Sequence, residues 1–228
     1  MVVAQLIAGL GIWLHPDAYQ RIPLLRAYAA RDPSCRGNKS KGIPDAWGSP
    51  SPNGILRDDN SLLKGLPKTL KVDAPKNQNY NGRKIVRGFT ASHIWRETTS
   101  GDILASRDPL TYSFIPNLVW LPTEISRLTD REGSFVQQFV QMTSIGIYRD
   151  IEVSPAMKPI IDKAWAELPV PPSIPLEGVP KASDLNFFIP TEKWIAGRTD
   201  DLARVISAVE LARSGKKSQA KKLPSRFR

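Results

Sequence analysis

Few residues in this chain can move a proton near neutral pH. It has two histidines, His15 and His93, and imidazole is the side chain whose ordinary pKa falls in that range. His93 closes the run Arg83–Lys84–Ile85–Val86–Arg87–Gly88–Phe89–Thr90–Ala91–Ser92–His93, and Ile94–Trp95–Arg96–Glu97 follows it. Downstream comes Pro116–Asn117–Leu118–Val119–Trp120–Leu121–Pro122–Thr123–Glu124. A neutral imidazole can accept the proton of an attacking water. An amide oxygen and a carboxylate, here Asn117 and Glu124, suit a hard cation such as Mg²⁺. Together with cationic side chains that absorb developing charge, these are the requirements of phosphodiester hydrolysis. Lys84, Arg87 and Arg96 lie on the same segment and offer contacts to flanking phosphates. The competing reading is structural: a histidine beside Ile94 and Trp95 can be a hydrogen-bonded boundary residue, and an asparagine after a proline is common in turns. His15, ahead of Pro16 and Asp17, reads as a helix-boundary residue.

The elements that must position these groups follow from patterning. Residues 1–30 look helical, with an apolar opening and a second segment that starts at Pro16. Residues 31–82 are dense in Gly, Pro, Asn, Ser and Lys and hold no period, so they read as a long irregular arm carrying Lys39 and Lys41. Trp47, Ile55, Leu56, Leu62, Leu63 and Leu66 would anchor that arm. Residues 83–96 read as two short strands broken at Gly88, with a further strand at 112–115 and a short helix near 122–128. Thr129 and Glu132 have capping-box spacing ahead of a helix that turns Phe135, Val136, Phe139 and Val140 inward. Asp130 and Glu132 suit the first turn of that helix, where its dipole favours a carboxylate. Ser154 and Pro155 open another helix with an apolar stripe of Met157, Ile160, Ile161, Ala164, Trp165 and Leu168. Residues 169–180 form a proline-rich connector. Thr199, Asp200 and Asp201 would cap a last helix, and a basic tail follows it. Asp58 and Asp59, beside Asn60, are a second candidate carboxylate pair, although such a string more often makes a turn. Among the tryptophans, Trp120 and Trp165 read as core, while Trp47 and Trp95 could stack on bases.

Composition bounds the partner. Thirty-two Lys and Arg face 22 Asp and Glu, a net charge of +10 with a pI near 9.8, which favours polyanions. Cys35 is the single cysteine, which leaves no pair for an intrachain disulfide and fits a cytoplasmic setting. The apolar run over residues 1–14 is too short to span a bilayer and lacks a basic n-region, so no membrane partner is expected.

The pattern Ala91–Ser92–His93–Ile94–Trp95, then Asn117–Leu118–Val119 leading into a helix, resembles the HNH or ββα-metal nuclease superfamily. The resemblance implies that two strands carry His93 as general base, that the connecting loop supplies Asn117, and that the following segment supplies another ligand. Two positions depart from the family pattern. The residue before the histidine is Ser92, and the family's final histidine is replaced by the stretch Glu124–Ile125–Ser126–Arg127. The implied set about Mg²⁺, or another divalent cation, is therefore Asn117, Glu124 and Ser92.

The expected fold class is α+β, a ββα-metal catalytic core embedded in a mainly helical frame with long irregular segments. Residues 1–82 would form a helical N-terminal region and a DNA-approaching arm, 83–150 the catalytic core, and 151–228 a helical C-terminal region with the basic tail. The expected function is a metal-dependent DNA endonuclease, of restriction type and acting on double-stranded DNA as a homodimer. The alternative is a non-catalytic DNA- or RNA-binding protein.

Overall fold

The computed structural model describes residues 2–33, 55–85, 87–172, 174 and 178–213. Lys39, Lys41, Trp47 and the basic tail lie outside the described residues. The chain opens with α1 (Val2–Leu10), in which Ala4, Ile7 and Ala8 are buried at helical spacing. Gly11 turns it directly into β1 (Ile12–Leu14). A Cβ on Gly11 would stand 2.9 Å from the Val119 Cγ2 and 3.3 Å from the Ala8 carbonyl oxygen, so only glycine lets helix and sheet approach this closely. Gly11→Ala is therefore expected to cost about 1–3 kcal/mol by overpacking, measured as a lowered denaturant midpoint at unchanged slope.

The remaining elements, in chain order, are α2 (Pro16–Arg21), β2 (Ala29–Arg31), β3 (Leu56–Asp58), α3 (Ser61–Thr69) and β4 (Lys71–Asp73). They are followed by β5 (Phe89–His93), β6 (Leu118–Pro122), α4 (Phe135–Tyr148), α5 (Lys158–Ala166), β7 (Asn186–Ile189) and α6 (Glu192–Arg213). Five strands form one mixed sheet in the order β4-β7-β1-β6-β5. β1 runs parallel to β7 and antiparallel to β6, and β5 pairs antiparallel with β6. β2 and β3 form a separate parallel ribbon.

The fold is α+β, but a five-stranded sheet rather than a helical frame stands at its centre. The three segments expected to be distinct share that sheet: β1 and β4 come from the first, β5 and β6 from the second, β7 from the third. Ile12, Trp13 and Leu14 in β1 and Leu118 to Leu121 in β6 are all buried, because both faces of the central strands are covered. The Trp120 indole donates to the Leu63 carbonyl at 2.9 Å, which places α3 over its face. Val119 and Leu121 point to the other face, against Gly11.

Several local expectations are corrected. The described part of the arm is not irregular, since it holds β3, α3 and β4. The described residues of 83–96 contain one strand rather than two, and Gly88 precedes it at φ +82°. Residues 112–113 form a turn, Phe114 makes an isolated antiparallel bridge to Leu24, and a 3₁₀ turn follows at Ile115–Asn117. The helix expected near 122–128 is a 3₁₀ turn at Ser126–Thr129. The Thr129 hydroxyl donates to the Ser126 carbonyl at 2.9 Å, and Ser134 caps α4 instead, accepting from the Gln137 amide. The last helix begins at Glu192, so Thr199 lies inside it and its hydroxyl donates to the Ile195 carbonyl. His15 caps α2, its Nδ1 accepting from the Asp17 amide at 3.3 Å. No helix among the described residues is long and apolar enough to cross a membrane.

Candidate active site

β5 and β6 form a ladder in which His93 faces Leu118 and Ala91 faces Trp120. Side chains alternate across a sheet, so His93 lies on the face covered by α3. The connection 94–117 leaves the sheet after His93 and returns at Leu118, and Asn117 fastens its two ends together. The Asn117 Oδ1 accepts from the Trp95 amide at 2.8 Å, its Nδ2 donates to the Thr111 carbonyl at 3.0 Å, and its own carbonyl accepts from the Ile94 amide at 3.1 Å. Helix α4 braces the same ends. Gln141 donates to the Ile94 carbonyl at 2.9 Å and Ser144 to the Pro116 carbonyl at 2.6 Å. The Thr111 hydroxyl donates to the Ala105 carbonyl at 2.7 Å, and the Ser113 hydroxyl accepts from the Arg26 amide at 2.9 Å.

These clamps hold the Tyr112 carbonyl 2.9 Å from the His93 Nε2. A carbonyl can only accept, so Nε2 carries the hydrogen and Nδ1 keeps its lone pair. The imidazole also stacks on the Tyr112 ring, with centroids 5.6 Å apart at 26°. Burial pushes the His93 pKa down from its ordinary value to about 4, and nearby Arg31 adds to the depression, while the Tyr112 carbonyl opposes it. The ring is consequently neutral at physiological pH. Nδ1 has no hydrogen-bond partner among the described residues.

Behind this pair, the wholly buried Asp58 meets the Arg26 guanidinium at 3.5 Å. Burial raises the Tyr112 phenol well above its usual range, and the neighbouring Asp58 carboxylate raises it further. Burial likewise lowers the Arg26 pKa against the opposing pull of Asp58. Asp58 is thus a carboxylate in a buried ion pair, not half of an Asp58–Asp59 cation site.

His93 opens on a cleft of about 440 Å³ whose walls include Arg31, Asn60, Lys64, Ser92, Arg96 and Asp130. Arg31 ends β2, Asn60 and Lys64 come from the start of α3, and Arg96 follows β5. The Arg96 guanidinium donates to the Asp130 carbonyl at 2.8 Å and the Lys64 ammonium to the Asp59 carbonyl at 3.0 Å, which steadies both cations at the rim. Asn60 adopts left-handed backbone at φ +69°, and its buried Oδ1 has no hydrogen-bond partner among the described residues.

The structure brings together only some of the predicted site. His93, Ser92 and Arg96 meet on the cleft. Asn117 does not: it is wholly buried and its amide is spent on backbone groups, so it can neither ligate a cation nor touch a substrate. Glu124, Lys84 and Arg87 are exposed but do not line the cleft. Among the described residues no three His, Cys, Asp or Glu side chains gather to hold a metal ion, and the expected set of Asn117, Glu124 and Ser92 does not assemble. Trp95 is fully buried with its indole bonded to the Pro169 carbonyl at 2.8 Å, so it cannot stack on a base. The cleft instead recruits Arg31, Asn60, Lys64 and Asp130. The turn string Asp58–Asp59–Asn60 is the one sequence signal for this wall, whereas Asp130 looks in sequence like a helix-start residue and gives none.

No protein-family model matches the chain, and no curated protein or solved structure matches it either.

Proposed function

We propose that the protein is a DNA endonuclease that hydrolyses phosphodiester bonds, with His93 as general base. The observation that carries this reading is the setting of the imidazole: a backbone carbonyl holds its Nε2, its Nδ1 has no partner among the described residues, and the ring lines a cleft whose walls include Arg31, Lys64 and Arg96. A carbonyl-oriented histidine is the arrangement that holds one tautomer ready for proton transfer.

In this reading the phosphate sits between Nδ1 and the cationic rim. Nδ1 takes a proton from water as the water oxygen bonds to phosphorus. The imidazolium that forms keeps its Nε2–H on the Tyr112 carbonyl. The bond to the leaving oxygen breaks, and that oxygen takes a proton from solvent. The guanidinium and ammonium groups offset the charge that builds on the non-bridging oxygens. The predicted ligands do not fit a Mg²⁺ ion, so no step here is routed through one. Asp130 is the carboxylate on the cleft, and a divalent cation held by one carboxylate, waters and the substrate phosphate would be consistent with Mg²⁺ chemistry. One histidine serves one strand, so scission of a duplex by a restriction-type enzyme calls for two copies, in keeping with a homodimer.

Purified protein incubated with plasmid tests the reading, with Mg²⁺ and with EDTA in parallel. Discrete fragments are expected for a site-specific enzyme, and the rate should stay level from about pH 5.5 to 7.5 because the base is already deprotonated there. A retarded but uncut band in both arms would leave the binding protein as the better reading. An ascending limb centred near the ordinary imidazole pKa would count against His93 as the base.

A further inference from the structure

A second basic hollow adjoins the first. It has a volume of about 300 Å³ and its walls include Arg31, Asp32, Arg57 and Arg107. Arg31 lines both hollows. The ribbon explains why: β2 and β3 pair with Ala30 opposite Arg57 and Arg31 opposite Asp58, which sends Arg57 to one side of the ribbon end. The loop that carries the Tyr112 carbonyl runs beside it, since the Arg31 amide donates to the Ser106 carbonyl at 2.9 Å. Ser106 lines the His93 cleft and Arg107 the second hollow. Arg31 therefore stands between the two hollows, with Ser106 bonded to its backbone.

The charges on this path are unequal. Among the described residues that line the second hollow, three are arginines and one, Asp32, is a carboxylate, 3.9 Å from the Arg57 guanidinium. A planar, always-charged guanidinium is the side chain best matched to phosphate oxygens. Both volumes lie at the scale of a nucleotide-sized ligand, and a basic groove continuing from one hollow to the next is what a polyanionic strand requires.

We propose that one nucleic-acid strand passes from the His93 cleft over Arg31 into the second hollow, where Arg57 and Arg107 each hold a backbone phosphate away from the scissile bond. The proposal rests on the nuclease reading for which phosphate is cut, but not for the binding itself. It moves the anchoring of the flanking strand from the expected Lys84 and Arg87 to Arg57 and Arg107. Arg31 is shared, contacting phosphates in both hollows.

The test is fluorescence anisotropy of a labelled single-stranded 16-mer, and of its duplex, with the full chain in EDTA over a series of salt concentrations. The double variant Arg57→Ala, Arg107→Ala is expected to bind the single strand at least about tenfold more weakly. Its salt slope should fall by about 1.4, at about 0.7 for each phosphate that is no longer neutralised. A charge-matched control, Lys163→Ala with Lys181→Ala, should stay within about twofold of the unmodified chain, as surface charges off the track would. Unchanged affinity in the arginine variant, or an equal loss in the control, overturns the track, as does a chain that binds neither oligonucleotide. If Arg57→Ala impairs folding, Arg107→Ala alone, at an exposed position, should show half the fall in slope. Should the variant lose binding while the unmodified chain never cuts plasmid, the track stands and the nuclease reading falls.

Discussion

Replacing His93 by Gln is expected to slow plasmid cleavage by about 10²–10⁴-fold, the usual contribution of a positioned general base, while strand binding measured in EDTA changes little. Glutamine retains an N–H that can reach the Tyr112 carbonyl, which His93 now holds at 2.9 Å, but it offers no basic nitrogen on the cleft side. Cleavage at the unmodified rate would remove His93 from the chemistry. The same variant isolates a linkage effect. In the folded chain the imidazole pKa is depressed to about 4 by burial, whereas in the unfolded chain it sits near its ordinary ~6.5. Between those values the unfolded state binds more protons, so the stability owed to this group is fully present above about pH 6.5 and is lost as pH falls towards 4. Below that the folded ring protonates too, and the dependence levels off. Denaturant melts at pH 7 and 4.5 should therefore show a larger loss for the unmodified chain than for His93→Gln. Equal losses would mean that the ring is not desolvated.

The second large effect concerns Asn117. Asn117→Ala strands the Trp95 amide and the Thr111 carbonyl, both served by its side chain, in a wholly buried site. Each orphaned group costs about 1–3 kcal/mol, so a total of about 2–6 kcal/mol is expected, a fall in Tm on the order of 10 °C for a chain of this size. Asn117→Asp separates two roles. A metal ligand would keep or gain function as a carboxylate. A backbone clamp loses its donor to the Thr111 carbonyl and gains a buried charge, which costs more than alanine does. Thermal unfolding of the two variants beside their cleavage rates decides between them, and the structure predicts Asp to be the worse folded. Any loss of cleavage in a folded variant would then follow from a displaced Tyr112 carbonyl, one residue beyond Thr111, and a mis-set imidazole.

His93 and Asn117 are both legible as special residues, and for good reason. Histidine is scarce in this chain, and an asparagine between Pro116 and the apolar run Leu118–Leu121 has no reason to be there unless its amide is used. What it is used for is not legible. An amide oxygen looks the same in a sequence whether it meets a cation or the Trp95 N–H. The helices announce themselves by period, α4 and α5 above all, because each carries apolar residues at helical spacing into the core. The short strands β1 and β7 do not. Three or four residues covered on both faces, such as Ile12–Trp13–Leu14, show no alternation and cannot be told from a piece of helix.

Local chemistry therefore determined which residue types were available: one imidazole at a strand end, a surplus of cations, a turn at Asp58–Asn60, and helices wherever an apolar stripe repeats. Only the tertiary structure decided which of them meet. Arg31, Asn60, Lys64 and Asp130 come from separate elements and reach His93 because β5 lies at the sheet edge, α3 covers its face and the β2–β3 ribbon closes the side. Such convergence depends on strand order and on which face each side chain takes. Those are set by long-range pairing and burial, and a linear spacing does not encode them.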